Sequence, residues 1–125
     1  MNDSLYREQL LDIYKEQSNR GVMEDPNSES VGSNPFCGDT VKLQLKIEDG
    51  KITDAAYDGD ACMVSIASSS LLTDEIKGKT VEEAKKISKD DVLDMVGVKL
   101  TTSRVKCATL VLDALQSALE EYDGK

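Results

Sequence analysis

One alternating segment near the middle of the chain constrains the fold more than any other feature of the sequence. Over Thr40–Ile47, apolar residues at every second position alternate with Lys and Gln, the period of a strand with one buried and one solvent-facing side. Asp49-Gly50 follows as a hairpin turn signal, and Lys51–Tyr57 is predicted to return as the antiparallel partner. The sequence therefore predicts an antiparallel hairpin at the centre of the domain.

Helical periodicity dominates the rest of the chain. Apolar residues recur at spacings of three and four, and Ser4 and Thr80 are N-cap candidates, the latter with Glu83 completing a capping box. The predicted helices are Ser4–Asn19, Val64–Ile76 with its stop at Gly78, a helix starting at Thr80, Asp91–Val96 and Cys107–Tyr122.

Two segments carry neither period. Gly21–Asn34 is rich in Gly, Ser, Asn and acidic residues, so it is predicted to be a mobile loop, and Val98–Lys106 is predicted to be irregular or extended. A length of 125 residues fits one domain. The predicted architecture is a single α+β domain over residues 1–125, in which a small antiparallel β-sheet packs against several α-helices.

Charge narrows the range of partners. The chain has 15 basic and 24 acidic residues and a net charge of -9, which disfavours nucleic acid and anionic membranes as partners. No apolar run approaches the roughly 20 residues of a spanning helix, and the N-terminus lacks the pattern of a secretory signal. We therefore expect a soluble, cytoplasmic protein.

Three cysteines and the absence of histidine define the chemistry that is open to the chain. An odd number of cysteines cannot pair fully within one chain, and a reducing cytosol keeps them as thiols for metal or sulfur chemistry. The lack of histidine removes the commonest metal ligand and the usual general base for a cysteine nucleophile.

Each cysteine lies at a predicted boundary. Cys37 precedes the first predicted strand, and Cys62 and Cys107 open predicted helices, where the helix dipole favours the thiolate that binds metal or attacks sulfur. Arg104 and Lys106 add positive charge beside Cys107. The alternative is that the cysteines are small core residues, or that zinc merely fixes a binding module.

Cys37, Asp39, Cys62 and Cys107 together form a complete four-ligand set, because zinc and iron-sulfur centres accept thiolates and a carboxylate takes a remaining position. There is no pair of C-x-x-C knuckles, so the fold must bring these donors together. One hard carboxylate among soft thiolates makes such a site less selective for one metal ion.

At these residues the sequence resembles the IscU/SufU/NifU N-terminal family of iron-sulfur cluster assembly proteins. The resemblance runs from the first helix to the last. The matching motifs are Leu5-Tyr6-Arg7 with Asp12 and Tyr14-Lys15, Cys37-Gly38-Asp39, Cys62-Met63-Val64-Ser65-Ile66-Ala67-Ser68-Ser69-Ser70, and Arg104-Val105-Lys106-Cys107.

The resemblance implies a scaffold and sulfur acceptor, with no catalytic activity beyond a sulfurtransferase role, and with its ligands at one exposed end of an α+β fold. A PLP-dependent cysteine desulfurase delivers persulfide sulfur, with Cys107 as the first acceptor and Cys62 as the second. A transient [2Fe-2S] cluster or iron is bound by Cys37, Asp39, Cys62 and Cys107, and passes to acceptor apo-proteins. Asp39 is the labile ligand.

The subtype stays open between two branches of the family. Lys106 stands where the IscU branch has histidine, which favours a SufU-like, zinc-dependent sulfur acceptor that stimulates a SufS-type desulfurase. The step from Cys62 to Cys107 is too short for the insertion of the SufU branch. Leu100–Arg104 replaces the Leu-Pro-Pro-Val-Lys motif, so a dedicated Hsp70-type chaperone is not an expected partner.

Overall fold

A three-stranded antiparallel sheet forms the base of the fold in the computed structural model, which describes residues 3–34, 38–97 and 102–123. The strands are β1 (Ser28–Asn34), β2 (Asp39–Glu48) and β3 (Lys51–Asp60), in the order β1-β2-β3. β2 and β3 are joined by Asp49 and Gly50, both with positive φ. The predicted hairpin is confirmed, because β2 and β3 pair antiparallel on either side of this turn.

Five helices accompany the sheet: α1 (Asp3–Glu16), α2 (Met63–Ile76), α3 (Val81–Lys85), α4 (Lys89–Val96) and α5 (Thr102–Asp123). α2 and α5 contact the sheet and each other, α1 packs on α2, and α4 packs on α2 and α5. The capping box between Thr80 and Glu83 at the start of α3 is confirmed. The predicted α+β architecture is confirmed as well.

The apolar side of the hairpin supplies the core. Every second residue of β2 from Val41 to Ile47 is buried, and these side chains belong to one cluster with the apolar face of α5. Each large aliphatic side chain buried in this way contributes about 1.5–3 kcal/mol. Packing of α2 and α5 against one side of the sheet therefore fixes where their first turns lie relative to the ends of the strands.

The predicted loop over Gly21–Asn34 is wrong from Ser28 onward, because Ser28–Asn34 forms β1 and pairs with β2, whereas residues 21–27 belong to no helix or strand. Ser28 and Gly32 of β1 are buried, and a Cβ atom at Gly32 would lie 2.9 Å from the main-chain oxygen of Leu110 in α5. Ser28 donates a hydrogen bond to the main-chain oxygen of Ala118. Small residues thus allow α5 to approach the strand closely, and they leave no apolar alternation in the sequence.

The residues before β1 also bond to the sheet. The Gly21 N–H donates to the main-chain oxygen of Tyr57 at 2.9 Å, and the Met23 N–H donates to Oε1 of Gln44 at 2.9 Å. Gln44 is consequently buried at 5% exposure, although the alternation predicted a solvent-facing position. The prediction is wrong at this position because a neighbouring segment lies across that side of β2.

The largest differences between predicted and observed helix boundaries lie at the end of α1 and at the start of α5. α1 ends at Glu16 rather than at Asn19, because Gln17 and Asn19 have φ values of 48° and 68° that end the helix. α5 begins at Thr102, so the part of the predicted irregular segment from 102 to 106 is helical. Residues 98–101 of that segment lie outside the described residues.

Within the described ranges, no helix combines the length and the apolar character that a membrane crossing requires.

Tyr57 offers a test of the core through pH. Its side chain is fully buried and its hydroxyl shares a hydrogen bond with Ser70, and burial raises the pKa of Tyr57 above that of an exposed tyrosine. Above about pH 10 Tyr57 ionises in the unfolded chain but stays protonated in the folded chain. The free energy of unfolding therefore falls as pH rises.

We expect Tyr57→Phe to lose less unfolding free energy than the wild type between about pH 8 and about pH 11. Urea unfolding at both pH values measures the difference, with Tyr122→Phe, at a half-buried tyrosine, as the control. Equal losses in wild type and Tyr57→Phe would contradict the assignment of the effect to this buried phenol.

Candidate metal centre

The candidate metal centre lies where one end of the β2–β3 hairpin meets two helices. Asp39 is the first residue of β2, and the register pairs its neighbour Thr40 with Asp60, the last residue of β3. Two residues after Asp60, Cys62 is the N-cap of α2. The antiparallel pairing of β2 and β3 therefore places Asp39 beside the chain that leads to Cys62.

The third donor comes from α5. Cys107 lies in the second turn of that helix, and its thiol, the thiol of Cys62 and a carboxylate oxygen of Asp39 all lie within 4.8 Å of one another. Within the described ranges, this is the only group of three or more acidic or cysteine side chains that converges so closely. The structure thus brings together three of the four residues predicted as ligands.

The remaining predicted ligand, Cys37, lies outside the described residues. Gly38, which follows it, is exposed and has a φ of +74°, and a Cβ atom added there would meet nothing within 4 Å, so Gly38 turns the chain into β2 without close packing. The Cα atom of a residue two positions before Asp39 can lie at most about 7 Å from the Cα atom of Asp39. Cys37 remains a predicted ligand.

Burial differs among the three donors. Asp39 and Cys107 are 6% and 3% exposed, whereas Cys62 is partly exposed. Met63, directly after Cys62, is 38% exposed, which places the start of α2 at the surface. Cys62 is therefore the donor through which a reagent from solution can first reach this group.

The prediction that Cys107 opens the last helix is wrong, because α5 begins five residues earlier at Thr102. The helix dipole acts mainly within the first turn, and Cys107 lies beyond that turn of α5, whereas Cys62 is the N-cap of α2. Of the two basic neighbours, Lys106 is exposed, and the side chain of Arg104 lies outside the described part of the structure.

Ser65 connects the three donors. Its hydroxyl lies 2.9 Å from Oδ2 of Asp39 and 2.9 Å from the main-chain oxygen of Cys107, and the Cys62 thiol donates to it over 3.7 Å. Ser65 belongs to one of the matching motifs, but the sequence alone assigned it no role. Its position three residues after an N-cap cysteine was the available signal, since that spacing returns a side chain to the helix start.

Arg20 anchors the strand end that precedes Cys62. Its guanidinium donates to Oδ1 of Asp58 at 3.2 Å and to the main-chain oxygen of Gly59 at 2.9 Å. The Gly59 N–H bonded to the carboxylate, together with Arg20, holds the pKa of Asp58 below its usual range. This end of β3 is thereby attached to the segment that follows α1.

The donor set fits zinc or iron on chemical grounds. Two ligands on one tetrahedral zinc, each about 2.0–2.3 Å from the ion, lie about 3.3–3.8 Å apart. A limit of 4.8 Å between the donor atoms therefore leaves at most about 1.5 Å to close, which side-chain rotation supplies. Two sulfur donors and one oxygen donor suit both metals, and a fourth position is left for Cys37 or for a bound substrate.

Comparison with known proteins gives a consistent picture. The family model for the NifU-like N terminal domain matches residues 5–125. The chain is 38% identical to the iron-sulfur cluster assembly scaffold protein IscU of Escherichia coli strain K12, covering 96% of this chain and 95% of that protein. It is 35% identical to the zinc-dependent sulfurtransferase SufU of Bacillus subtilis strain 168, covering 98% and 94%.

Solved structures share the fold. A crystal structure of a SufU from the thermophile Fervidobacterium islandicum AW-1, described as a putative iron-sulfur cluster assembly scaffold for the SUF system, has a TM-score of 0.75 at 28% identity, covering 88% of this chain and 93% of that one. The N-terminal NifU-like protein of Brucella abortus has a TM-score of 0.78 at 23% identity, covering 98% and 97%. With the family model matching nearly the whole sequence, this chain belongs to the family of NifU-like N-terminal domains.

Proposed function

We propose that this protein is an iron-sulfur cluster assembly scaffold, which accepts sulfur from a cysteine desulfurase, binds iron or a [2Fe-2S] cluster as cargo, and passes it to acceptor proteins. The observation that carries the proposal is the convergence of Asp39, Cys62 and Cys107 within 4.8 Å at the hairpin end. Relatives named as IscU scaffolds align over nearly the whole chain, which supports the same assignment.

The proposed ligands are Cys37, Asp39, Cys62 and Cys107. Thiolates hold iron strongly, and the single carboxylate is a harder and more exchangeable ligand, so Asp39 is the position from which cargo leaves. Because Asp39 is the first residue of β2, movement of its side chain would leave the pairing of the residues that follow it in the strand in place.

Sulfur transfer requires a thiolate on this chain to attack the outer sulfur of a desulfurase persulfide. A new S–S bond forms, the desulfurase thiolate leaves, and no external oxidant is needed. Cys107 is the proposed acceptor and Cys62 the second. At 3% exposure Cys107 needs local opening of the site for this attack, whereas Cys62 is accessible without it.

A second candidate is a zinc-dependent sulfurtransferase. Lys106 precedes the last cysteine in a chain without histidine, and a relative with that name is 35% identical. The alignment with that relative spans 139 positions, more than the 125 residues of this chain, so the relative carries residues that have no counterpart here. This difference supports the scaffold as the first choice.

Anaerobic reconstitution separates the two candidates. The purified protein is incubated with a cysteine desulfurase, cysteine and ferrous iron, and the visible spectrum is recorded. We expect charge-transfer bands of a [2Fe-2S] cluster in the wild type, and their loss in Cys37→Ala, Cys62→Ala and Cys107→Ala. Stoichiometric zinc, no cluster and faster desulfurase turnover would instead support the sulfurtransferase.

A further inference from the structure

We propose that Ser65 is the residue that positions Asp39 for metal binding, an inference that rests on the proposed metal centre. Ser65 is 1% exposed and lies in the first turn of α2, three residues after the N-cap Cys62. Its hydroxyl is in hydrogen-bond contact with the Asp39 side chain, the Cys62 side chain and the Cys107 main chain. Ser65 thus contacts each of the three residues whose metal-binding atoms converge in the described part of the chain.

The role of Ser65 differs from ordinary helix capping. At α3 and α4 the N-cap side chain accepts from the third residue, and that residue's carboxylate bonds back to the N-cap backbone. Cys62 makes no such side-chain cap hydrogen bond. The Ser65 hydroxyl also contacts β2 and α5, so it joins separate elements of the fold in addition to accepting from Cys62 at the start of its own helix.

One proton must be shared between two acceptors. The Ser65 hydroxyl lies 2.9 Å from both Oδ2 of Asp39 and the main-chain oxygen of Cys107, and it has a single hydrogen to donate. A bond to a carboxylate is roughly twice as strong as one between neutral groups. A carbonyl in the second turn of a helix also has an intrahelical N–H donor available. The proton therefore goes to Asp39.

This bond restrains the orientation of the Asp39 carboxylate beside the thiols. With Oδ2 bonded to Ser65, the carboxylate cannot rotate without losing that hydrogen bond, and burial at 6% exposure limits competition from water. Partners of this kind orient metal ligands, and their loss typically lowers metal affinity by about 10–100-fold. We therefore expect Ser65→Ala to weaken zinc binding by about tenfold.

Zinc and cobalt titrations with a competing chelator test the inference in wild type, Ser65→Ala, Asp39→Ala and the double variant. The expected result is a loss of about tenfold for Ser65→Ala when Asp39 is present and of less than about twofold when it is absent. The visible spectrum of bound cobalt should change in Ser65→Ala in the same sense as in Asp39→Ala, because both changes disturb the oxygen ligand.

Ser68→Ala is the matched control. Ser68 is also 1% exposed on α2, but its hydroxyl donates to the main-chain oxygen of Ser65 within the same helix at 3.2 Å. It should bind zinc as the wild type does, and circular dichroism establishes that each variant is folded.

Three outcomes overturn the inference. Wild-type affinity in Ser65→Ala removes the positioning role while leaving the proposed metal centre intact. An equal loss of zinc affinity on replacing Ser65 in the Asp39→Ala background shows that the hydroxyl acts on another group. This result also removes the positioning role and leaves the proposed metal centre intact. Absence of zinc and cobalt binding in the wild type overturns both the proposed function and the role of Ser65.

Discussion

Replacing Gly59 by alanine is expected to destabilise the fold and to weaken metal binding in the same variant. A Cβ atom at Gly59 would lie 2.1 Å from the main-chain oxygen of Thr40, on the neighbouring strand β2. Gly59 also has a φ of +150°, which side chains rarely adopt. Overpacking adds about 1–3 kcal/mol to the cost of that backbone conformation. Because Thr40 follows Asp39, relief of the clash moves the carboxylate away from Cys62.

Gly21→Ala provides a matched control for the steric part of this effect. Gly21 has a similar φ of +154°, but nothing lies within 4 Å of a Cβ atom there. We expect urea unfolding to show Gly59→Ala to be less stable than Gly21→Ala by about 1–3 kcal/mol, with weaker zinc binding only in Gly59→Ala. Equal stabilities would show that the strands separate at little cost and would contradict the prediction.

Replacing Cys107 by alanine is expected to lower zinc affinity more than the replacement of Ser65 does. A four-ligand zinc site supplies about 10–16 kcal/mol, and a quarter of this is about 3 kcal/mol, or about two orders of magnitude in affinity. Cys107 is also 3% exposed, so in the folded state water has little access to take the vacated position. Competition with a chelator of known affinity measures the loss.

Thr109→Ala controls for a general disturbance of α5. Thr109 is buried two residues further along the helix, and its hydroxyl donates to the main-chain oxygen of Val105 at 3.0 Å. We expect this variant to retain wild-type zinc affinity. If Cys107→Ala also binds zinc as tightly as the wild type, Cys107 is not a ligand and the centre must be built from the other donors.

The sequence predicts those parts of the fold in which apolar side chains meet a core at a regular period. The alternation in β2 and the Asp49-Gly50 turn identify the hairpin, and spacings of three and four identify α2 and the later part of α5. β1 has no such period because its buried face toward α5 consists of small residues such as Ser28 and Gly32. Close backbone approach and a main-chain hydrogen bond stabilise that contact, and neither produces a hydrophobic pattern.

The candidate site is predictable in its composition and less so in its geometry. Donor chemistry and the motifs that resemble the family point to Cys37, Asp39, Cys62 and Cys107, and the fold brings the last three together. The predicted start of α5 is too late, because residues 102–106 have no apolar spacing of three to four to mark a helix. The spacing of Ser65 from Cys62 is a local signal for the contact between these two residues, whereas the contacts of Ser65 with β2 and α5 join distant parts of the chain and have no local signal.

An ion held at this centre ties the first residue of β2, the start of α2 and the second turn of α5 to one another, across more than half of the chain. In an unfolded chain these segments drift apart, so the loaded form is stabilised by mass action, by about 2.7 kcal/mol when free ligand exceeds the dissociation constant a hundredfold. Release of the cargo removes that cross-link. The loaded and empty forms are therefore expected to differ in stability as well as in contents.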